Sequence, residues 1–372
     1  MDSFELREEI DHGGSRYFLQ TSYVPKKRCI QSSFFKNGVL FDTLIQKVDD
    51  ESTTSDLRGQ TKDVHVLNKK KFHFLLDVRE KVNKSRDPMP HLRLAQALYR
   101  RNLFMEAIQE SELAIEKGDN DSQPYIIIGE SLYKMGDYEK AFEAIRRGIE
   151  INPEYPDLHN LMGQIYLKKK MCREAIESFK RAIGLNLYYG EPYLNLVRAH
   201  LLNTVVKEDY ELSREIESTF ATNVEKASQL NPFIQGEILE KAKNLFRQRK
   251  YKETLELLDE IKEVSGRGGI EDIVLELYLM LLHGSEDLKE SNIELYLERV
   301  EDIIEKNPTF ADGYNSLGIL YTAKCKILMD RASKAFSRAL EINSNYRKAQ
   351  KNLRLAENDR QGIFILLKAL LD

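Results

Sequence analysis

The side chains best equipped for chemistry are scattered along this sequence and do not gather into motifs. Ser265-Gly266-Arg267-Gly268-Gly269 has the glycine content of a phosphate-cradling loop. It lacks the following Lys-Ser/Thr, and no apolar strand leads into it, so it reads as a flexible break. The seven histidines, among them His65, His73, His91, His159, His200 and His283, form no HxxxH or HExxH pair on a helix face, which removes a common zinc geometry. Cys29, Cys172 and Cys325 are odd in number, far apart and without a CxxC, so they specify neither a disulfide framework nor a metal cluster, and they suit a reducing compartment. The acids Glu8-Glu9, Asp49-Asp50-Glu51 and Glu110/Glu112 fall on predicted edges or exposed faces, where solvation accounts for them. Spacing selects no nucleophile-base pair and implies no cofactor or metal. The expectation is a protein without enzymatic activity.

One local patch keeps a binding chemistry. Asn68-Lys69-Lys70-Lys71-Phe72-His73-Phe74, with Lys26-Lys27-Arg28 earlier, interleaves cations and aromatics as a base-stacking or anionic-headgroup site would. Residues 1–87 nevertheless hold 16 basic and 14 acidic side chains, too even for a nucleic-acid footprint. The whole chain is as balanced, with 56 Lys and Arg against 60 Asp and Glu, so no global field recruits nucleic acid or an anionic membrane. The patch defines the alternative function: a regulatory or sensor subunit whose N-terminal β module binds an anionic ligand, a membrane surface or a nucleotide.

The elements that must carry these residues follow from composition and period. With 372 residues, only 19 Gly and 9 Pro, and 31% charged side chains, the chain favours long solvated helices, in two or three domains or one elongated array. The first fifty residues differ. Tyr17 to Val24 and Cys29 to Phe35 are rich in β-branched and aromatic residues, His12-Gly13-Gly14-Ser15 marks a turn, and Asn37-Gly38 is a two-residue hairpin signal. Four runs make an antiparallel β-meander over 1–60. A connecting helix over 61–87, after the polar loop Asp49 to Gly59, would cover one face through Val64, Leu67, Phe72, Leu75, Leu76 and Val82.

From Pro88 the period becomes helical and repeats. Ala95, Gly129, Gly163 and Val197 recur every 34 residues, and small residues follow at Ala107, Ala141 and Ala175 and again at Ala114, Gly148 and Ala182. Residues 122–155 carry Tyr125, Gly129, Leu132, Ala141, Ile145, Gly148 and Pro153, and 156–189 carry His159, Gly163, Tyr166, Ala175, Phe179 and Ala182. On these residues the chain resembles the tetratricopeptide repeat family, whose 34-residue unit is two helices in which small side chains let neighbours pack closely. Another unit near 311–346 carries Tyr314, Gly318, Tyr321, Ala332, Phe336 and Ala339, with two extra residues in its turn. The resemblance implies a mainly α fold, an α-solenoid of tetratricopeptide-type helix pairs over 88–346 (divergent at 198–310), preceded by the small antiparallel β-meander plus helix. Residues 347–372 form a capping helix and an apolar tail.

The same resemblance implies a concave groove lined by the first helix of each pair. Its residues are Leu92, Gln96, Tyr99 and Arg100, then Ile126, Glu130, Tyr133 and Lys134, then Asn160, Gln164 and Lys168, then Leu194 and Arg198. Amides would hold a bound peptide's backbone, tyrosines would give flat apolar area, and Arg100, Lys134, Lys168 and Arg198 would form a cationic ladder for acidic side chains. The expected function is therefore a protein-protein interaction scaffold or adaptor. The carboxylate clamp of chaperone-type members is absent, because its slots hold Ile126, Glu130, Leu161, Glu191 and Asn195. The tail from Ile363 to Leu371 either folds back on the last helices or offers Phe364, Leu366, Leu367 and Leu370 as a second partner surface. Its nine residues include Lys368 and are too short to span a membrane. The first nine residues, acidic and apolar by turns, do not have the form of a secretory signal, so a cytoplasmic location is expected. The partner and the oligomeric state are not specified.

Overall fold

The computed structural model describes residues 4–48, 54–207, 209–230, 236–265, 270–283, 289–306, 308 and 310–371. The chain divides into two compact units, Met1–Lys117 and Gly118–Asp372. The acids at 49–51, residues 231–235 and the glycines at 266–269 lie outside the described residues.

The first unit opens with strands β1 (Glu5–His12), β2 (Ser15–Val24), β3 (Cys29–Lys36) and β4 (Val39–Lys47), antiparallel in the order β1-β2-β3-β4. This is the expected meander. Asn37 and Gly38 take φ of +50° and +83°, the sign that a type I′ turn demands at both positions. The Asn37 side-chain oxygen also accepts the Arg16 backbone N–H at 3.1 Å, tying the turn to β2. Helix α1 (Thr54–Val82) covers the face bearing Tyr17, Leu19 and Phe34. Phe72 of α1 lies 5.2 Å from the Tyr17 ring and 5.4 Å from that of Phe34, centroid to centroid. The helix begins at Thr54, inside the loop expected to run to Gly59.

Farther along the same face the core is polar and paired. The Thr21 and Ser32 hydroxyls meet at 2.9 Å, Asn68 donates to Ser32 at 2.9 Å, and His65 Nδ1 lies 3.0 Å from Thr21 Oγ1, all buried. Burial lowers the His65 pKa from its ordinary value, against the opposing pull of Glu8. A histidine held neutral in the fold but free to protonate when unfolded stabilises fully above its unfolded pKa, near 6.5, and loses that contribution as pH falls toward the folded value. The urea midpoint is therefore expected to drop between pH 7.5 and pH 5.5, with a smaller drop in His65→Gln. Equal pH slopes in the two proteins would remove His65 as the cause.

Helices α2 (Pro88–Arg100) and α3 (Phe104–Glu116) complete this unit. Asp87 caps α2 by accepting the Met89 N–H at 3.2 Å. Charged groups carry much of the attachment to the sheet and α1. Arg101 pairs with buried Asp42 at 3.0 Å, its guanidinium 4.4 Å from the centre of the Phe34 ring. Lys36 pairs with buried Glu106 at 2.5 Å, and Glu110 receives both Arg79 at 3.0 Å and His91 at 2.8 Å.

The second unit holds twelve helices among the described residues. They are α4 (Gln123–Met135), α5 (Tyr138–Ile151), α6 (Pro156–Lys168), α7 (Cys172–Leu185), α8 (Gly190–Val206), α9 (Tyr210–Leu230), α10 (Gly236–Arg247), α11 (Tyr251–Ser265), α12 (Ile270–His283), α13 (Glu290–Lys306), α14 (Ala311–Ile342) and α15 (Arg347–Leu371). The pairs α4/α5 and α6/α7 form as the period predicts. Gly136, at φ +84°, ends α4, and Asp137 starts α5 by accepting the Lys140 N–H at 3.3 Å. Ala141, Ala175 and Ala182 are fully buried between helices. A Cβ added at Gly163 would stand 2.6–2.9 Å from the Phe179 ring, so only glycine admits that contact. Small residues thus set the close approach of successive pairs, forming the expected α-solenoid.

Two departures follow α8. The pair α10/α11 buries Ala242 and Leu258 in register, but α11 packs against α8. In the regular part of the stack, the helix packed against a first helix from the following pair is that pair's own first helix, as α6 packs on α4. The unit expected at 311–346 is the second departure, because α14 is one continuous helix through the anticipated turn. The spacing explains this. In the regular pair 12 residues separate Gly129 from Ala141, whereas 14 separate Gly318 from Ala332, which keeps both on one face of an unbroken helix. Residues 325–331 contain no Gly, Asn or Pro, and Lys326 pairs with Asp330 one turn on at 3.0 Å. Gly362 likewise sits inside α15 without breaking it.

Candidate functional site

The side chains of the expected groove separate into those the core takes and those that remain at the surface. In the first unit Leu92 is fully buried, Gln96 accepts from Arg93 at 3.1 Å, Tyr99 lies 5.8 Å from the Phe104 ring, and Arg100 is half-buried. Leu92 is therefore a core side chain and not a groove contact. The reason is local: α1 packs against α2.

In the second unit, α4 presents half-buried Ile126, Glu130 and Tyr133 and exposed Lys134, while α6 presents buried Asn160 and Gln164 and exposed Lys168. Leu194 of α8 is buried in a core with Leu258 and Ile261 of α11, so it too is removed from any ligand surface. Arg198 donates through Nε to Asp259 of α11 at 2.6 Å, and its side chain is only 12% exposed. The cationic ladder is thus shortened. Arg198 is neutralised within the chain, and Lys134 and Lys168 are the exposed cations left on α4 and α6 among the expected set.

A hydrogen-bonded network joins α6 and α8. Asn195 donates to Asn160 at 2.9 Å, Asn160 donates to the Tyr189 hydroxyl at 3.0 Å, and Gln164 donates to Glu191 at 3.2 Å. Arg198 donates to the Asn195 side-chain oxygen at 3.0 Å. Burial, with Glu191 nearby, pushes the Tyr189 phenol well above its ordinary pKa. Burial does the same to Tyr133, only partly offset by Arg198. Both phenols therefore stay neutral hydrogen-bonding groups. The amides expected to grip a ligand chiefly fix one helix pair on the next, which pre-organises the exposed side chains beside them.

Sequence reasoning did not find Tyr189 or Asp259. Tyr189 precedes α8, outside the helical face used to choose groove positions, and Asp259 reaches the site only because α11 takes its unusual place. The basic run at 68–74 is also accounted for by packing. Asn68 bonds Ser32, Lys69 pairs with Glu8 at 2.6 Å, and Phe72 is in the core, so these three side chains are taken by the fold. Among the described residues no group of three or more His, Cys, Asp or Glu could hold a metal ion, and no helix is long and apolar enough to cross a membrane. In the tail, Leu367 and Leu371 turn inward, whereas Phe364, Leu366 and Leu370 are exposed or nearly so. Leu367 therefore does not belong to an outward surface.

Comparison with known proteins gives two family matches. Residues 129–170 match the family described as TPR repeat, and residues 156–188 match the one described as Tetratricopeptide repeat. No curated protein matches the chain. Among solved structures, MamA is 20% identical over 45% of this chain and 90% of its own, with a TM-score of 0.37. YrrB, described as a TPR protein with an unusual peptide-binding site, is 16% identical over 55% of this chain and 98% of its own, with a TM-score of 0.34. The pilF protein of Pseudomonas aeruginosa is 15% identical over 59% and 92%, with a TM-score of 0.36. The register of small residues in α4 to α7 and the two family matches over the same stretch agree, and residues 129–188 of this chain carry tetratricopeptide repeats.

Proposed function

We propose that this protein is a non-enzymatic, cytoplasmic scaffold that holds an extended segment of a partner protein along the inner faces of α4 and α6. The observation that carries this reading is the exposed pair Lys134 and Lys168, set beside half-buried Tyr133 and Glu130 on a frame held rigid by the Asn160–Asn195 network. Tyrosine supplies contact area at small entropic cost, and the two lysines favour a segment bearing acidic side chains. Binding needs no covalent step. The partner is retained by the sum of contacts on a pre-formed surface.

The test places a photo-crosslinking residue at Lys134 or Lys168, and at Arg147, which is exposed on α5, as control. The same partner protein is expected from both inner positions and not from the control. Its yield should fall about tenfold in Lys134→Glu/Lys168→Glu, the loss of roughly 1.4 kcal/mol of binding. Equal capture from all three positions, or capture unaffected by the double charge reversal, would remove the inner face as the binding site.

A further inference from the structure

We propose that Asp259 of α11 is an internal stand-in for a partner's carboxylate: it occupies Arg198 and so confines an acidic segment to the two cations Lys134 and Lys168. This deepens the reading of α4 and α6 as a partner site and rests on it. Arg198 of α8 stands in the 34-residue register of Glu130 and Gln164, one helical turn from that of Lys134 and Lys168. It is the next cation along the site. Its Nε donates to Asp259 at 2.6 Å and a terminal nitrogen donates to Asn195 at 3.0 Å. The Arg198 side chain is 12% exposed and that of Asp259 is 52% exposed, so the carboxylate covers the cation from the solvent side. Asn195 in turn donates to Asn160 of α6 at 2.9 Å, which makes one run of hydrogen bonds from α11 through α8 to α6. Arg198 and Asp259 also act in opposite senses on the Tyr133 phenol of α4, which places the pair beside the side chains assigned to the partner.

The place of Asp259 does not depend on the ion pair. Its neighbours Leu258 and Ile261 are buried in one core with Leu194, Val197 and Leu201 of α8, and this apolar contact seats α11. A carboxylate held there by the fold reaches Arg198 without loss of translational freedom, whereas one arriving with a partner gives that freedom up. Asp259 therefore wins the competition. Its exposed negative charge also repels a second carboxylate that approaches the same guanidinium. Replacing Asp259 by a neutral side chain leaves α11 seated on its leucines and frees a partly buried guanidinium. An acidic side chain can then take it up through charge-assisted hydrogen bonds.

The test measures binding of fluorescein-labelled hexaglutamate to the full chain by fluorescence anisotropy at low salt. Asp259→Asn should bind the peptide about fivefold more tightly than the wild type, the gain expected of one added ion pair. Asp259→Glu keeps the carboxylate and should match the wild type. Arg198→Gln/Asp259→Asn should lose the gain, because the freed cation is its source. A merely structural ion pair would move none of these affinities in this pattern. Equal affinity of Asp259→Asn and the wild type overturns the proposal. So does a gain that survives Arg198→Gln, which would come from the removal of negative charge alone, or a peptide that neither protein binds. Lys134→Glu/Lys168→Glu reports separately: hexaglutamate binding that it leaves unchanged removes the α4 and α6 site, whatever Asp259→Asn does.

Discussion

Glu110→Ala is expected to lower the stability of the first unit by about 3–5 kcal/mol, the usual loss when one partner of a buried charge pair is removed. The Glu110 side chain is 1% exposed and its two oxygens serve different elements, Arg79 of α1 and His91 of α2. His91 is itself wholly buried, so deleting the carboxylate leaves an imidazole and a guanidinium facing a void. Glu110→Gln keeps an acceptor for one of them and should fall between wild type and the alanine variant. Urea denaturation of the full chain gives the size of the change. Hydrogen exchange at the amides of α2 and α3 assigns it to this unit, since a chain of two units need not unfold in one step. A loss below about 1 kcal/mol would mean that Glu110 is dispensable to the attachment of the first helix pair.

Gly163→Ala has the second large effect, a loss of about 1–3 kcal/mol from overpacking. The added methyl would stand inside contact distance of three atoms of the Phe179 ring, and that ring is fully buried between α6, α7 and α8 with little room to turn aside. Gly362→Ala is the matched control. It lies inside α15 with no atom within 4 Å of the new Cβ, so the better helix former should gain about 0.5–1 kcal/mol. Opposite signs at the two sites would show that the repeat's glycines are retained for clearance. A gain at both would separate the recurrent spacing of small residues within this chain from its packing.

Much of the architecture was legible because the decisive residues act locally. Asn37-Gly38 can announce a hairpin alone, since its two positive φ values are a property of those residues. Gly129, Ala141 and Gly148 announce a helix pair because their spacing brings them onto facing sides only if the chain turns between them. Where the sequence reading departed from the fold, the missing information was about neighbours. The small residues at 318, 332 and 339 satisfy a bent pair and a straight helix alike, and the two extra residues in that turn were the signal that favours the straight one. Nothing in the period of α10 and α11 states which of them meets α8, so the mates of Leu194 and Arg198 were invisible. The candidate site was legible as a set of faces, and Tyr133, Lys134 and Lys168 are at or near the surface there. The expectation that Leu92 and Leu194 belonged with them treated every pair as if its surroundings were the same.

The seating of α11 on α8 has a consequence for anyone who wishes to lengthen the array. A consensus repeat grafted after α9 would find its landing surface occupied, with Arg198 already committed to Asp259. Additional modules belong upstream, between α7 and α8, where the ordinary pairing still governs what comes next.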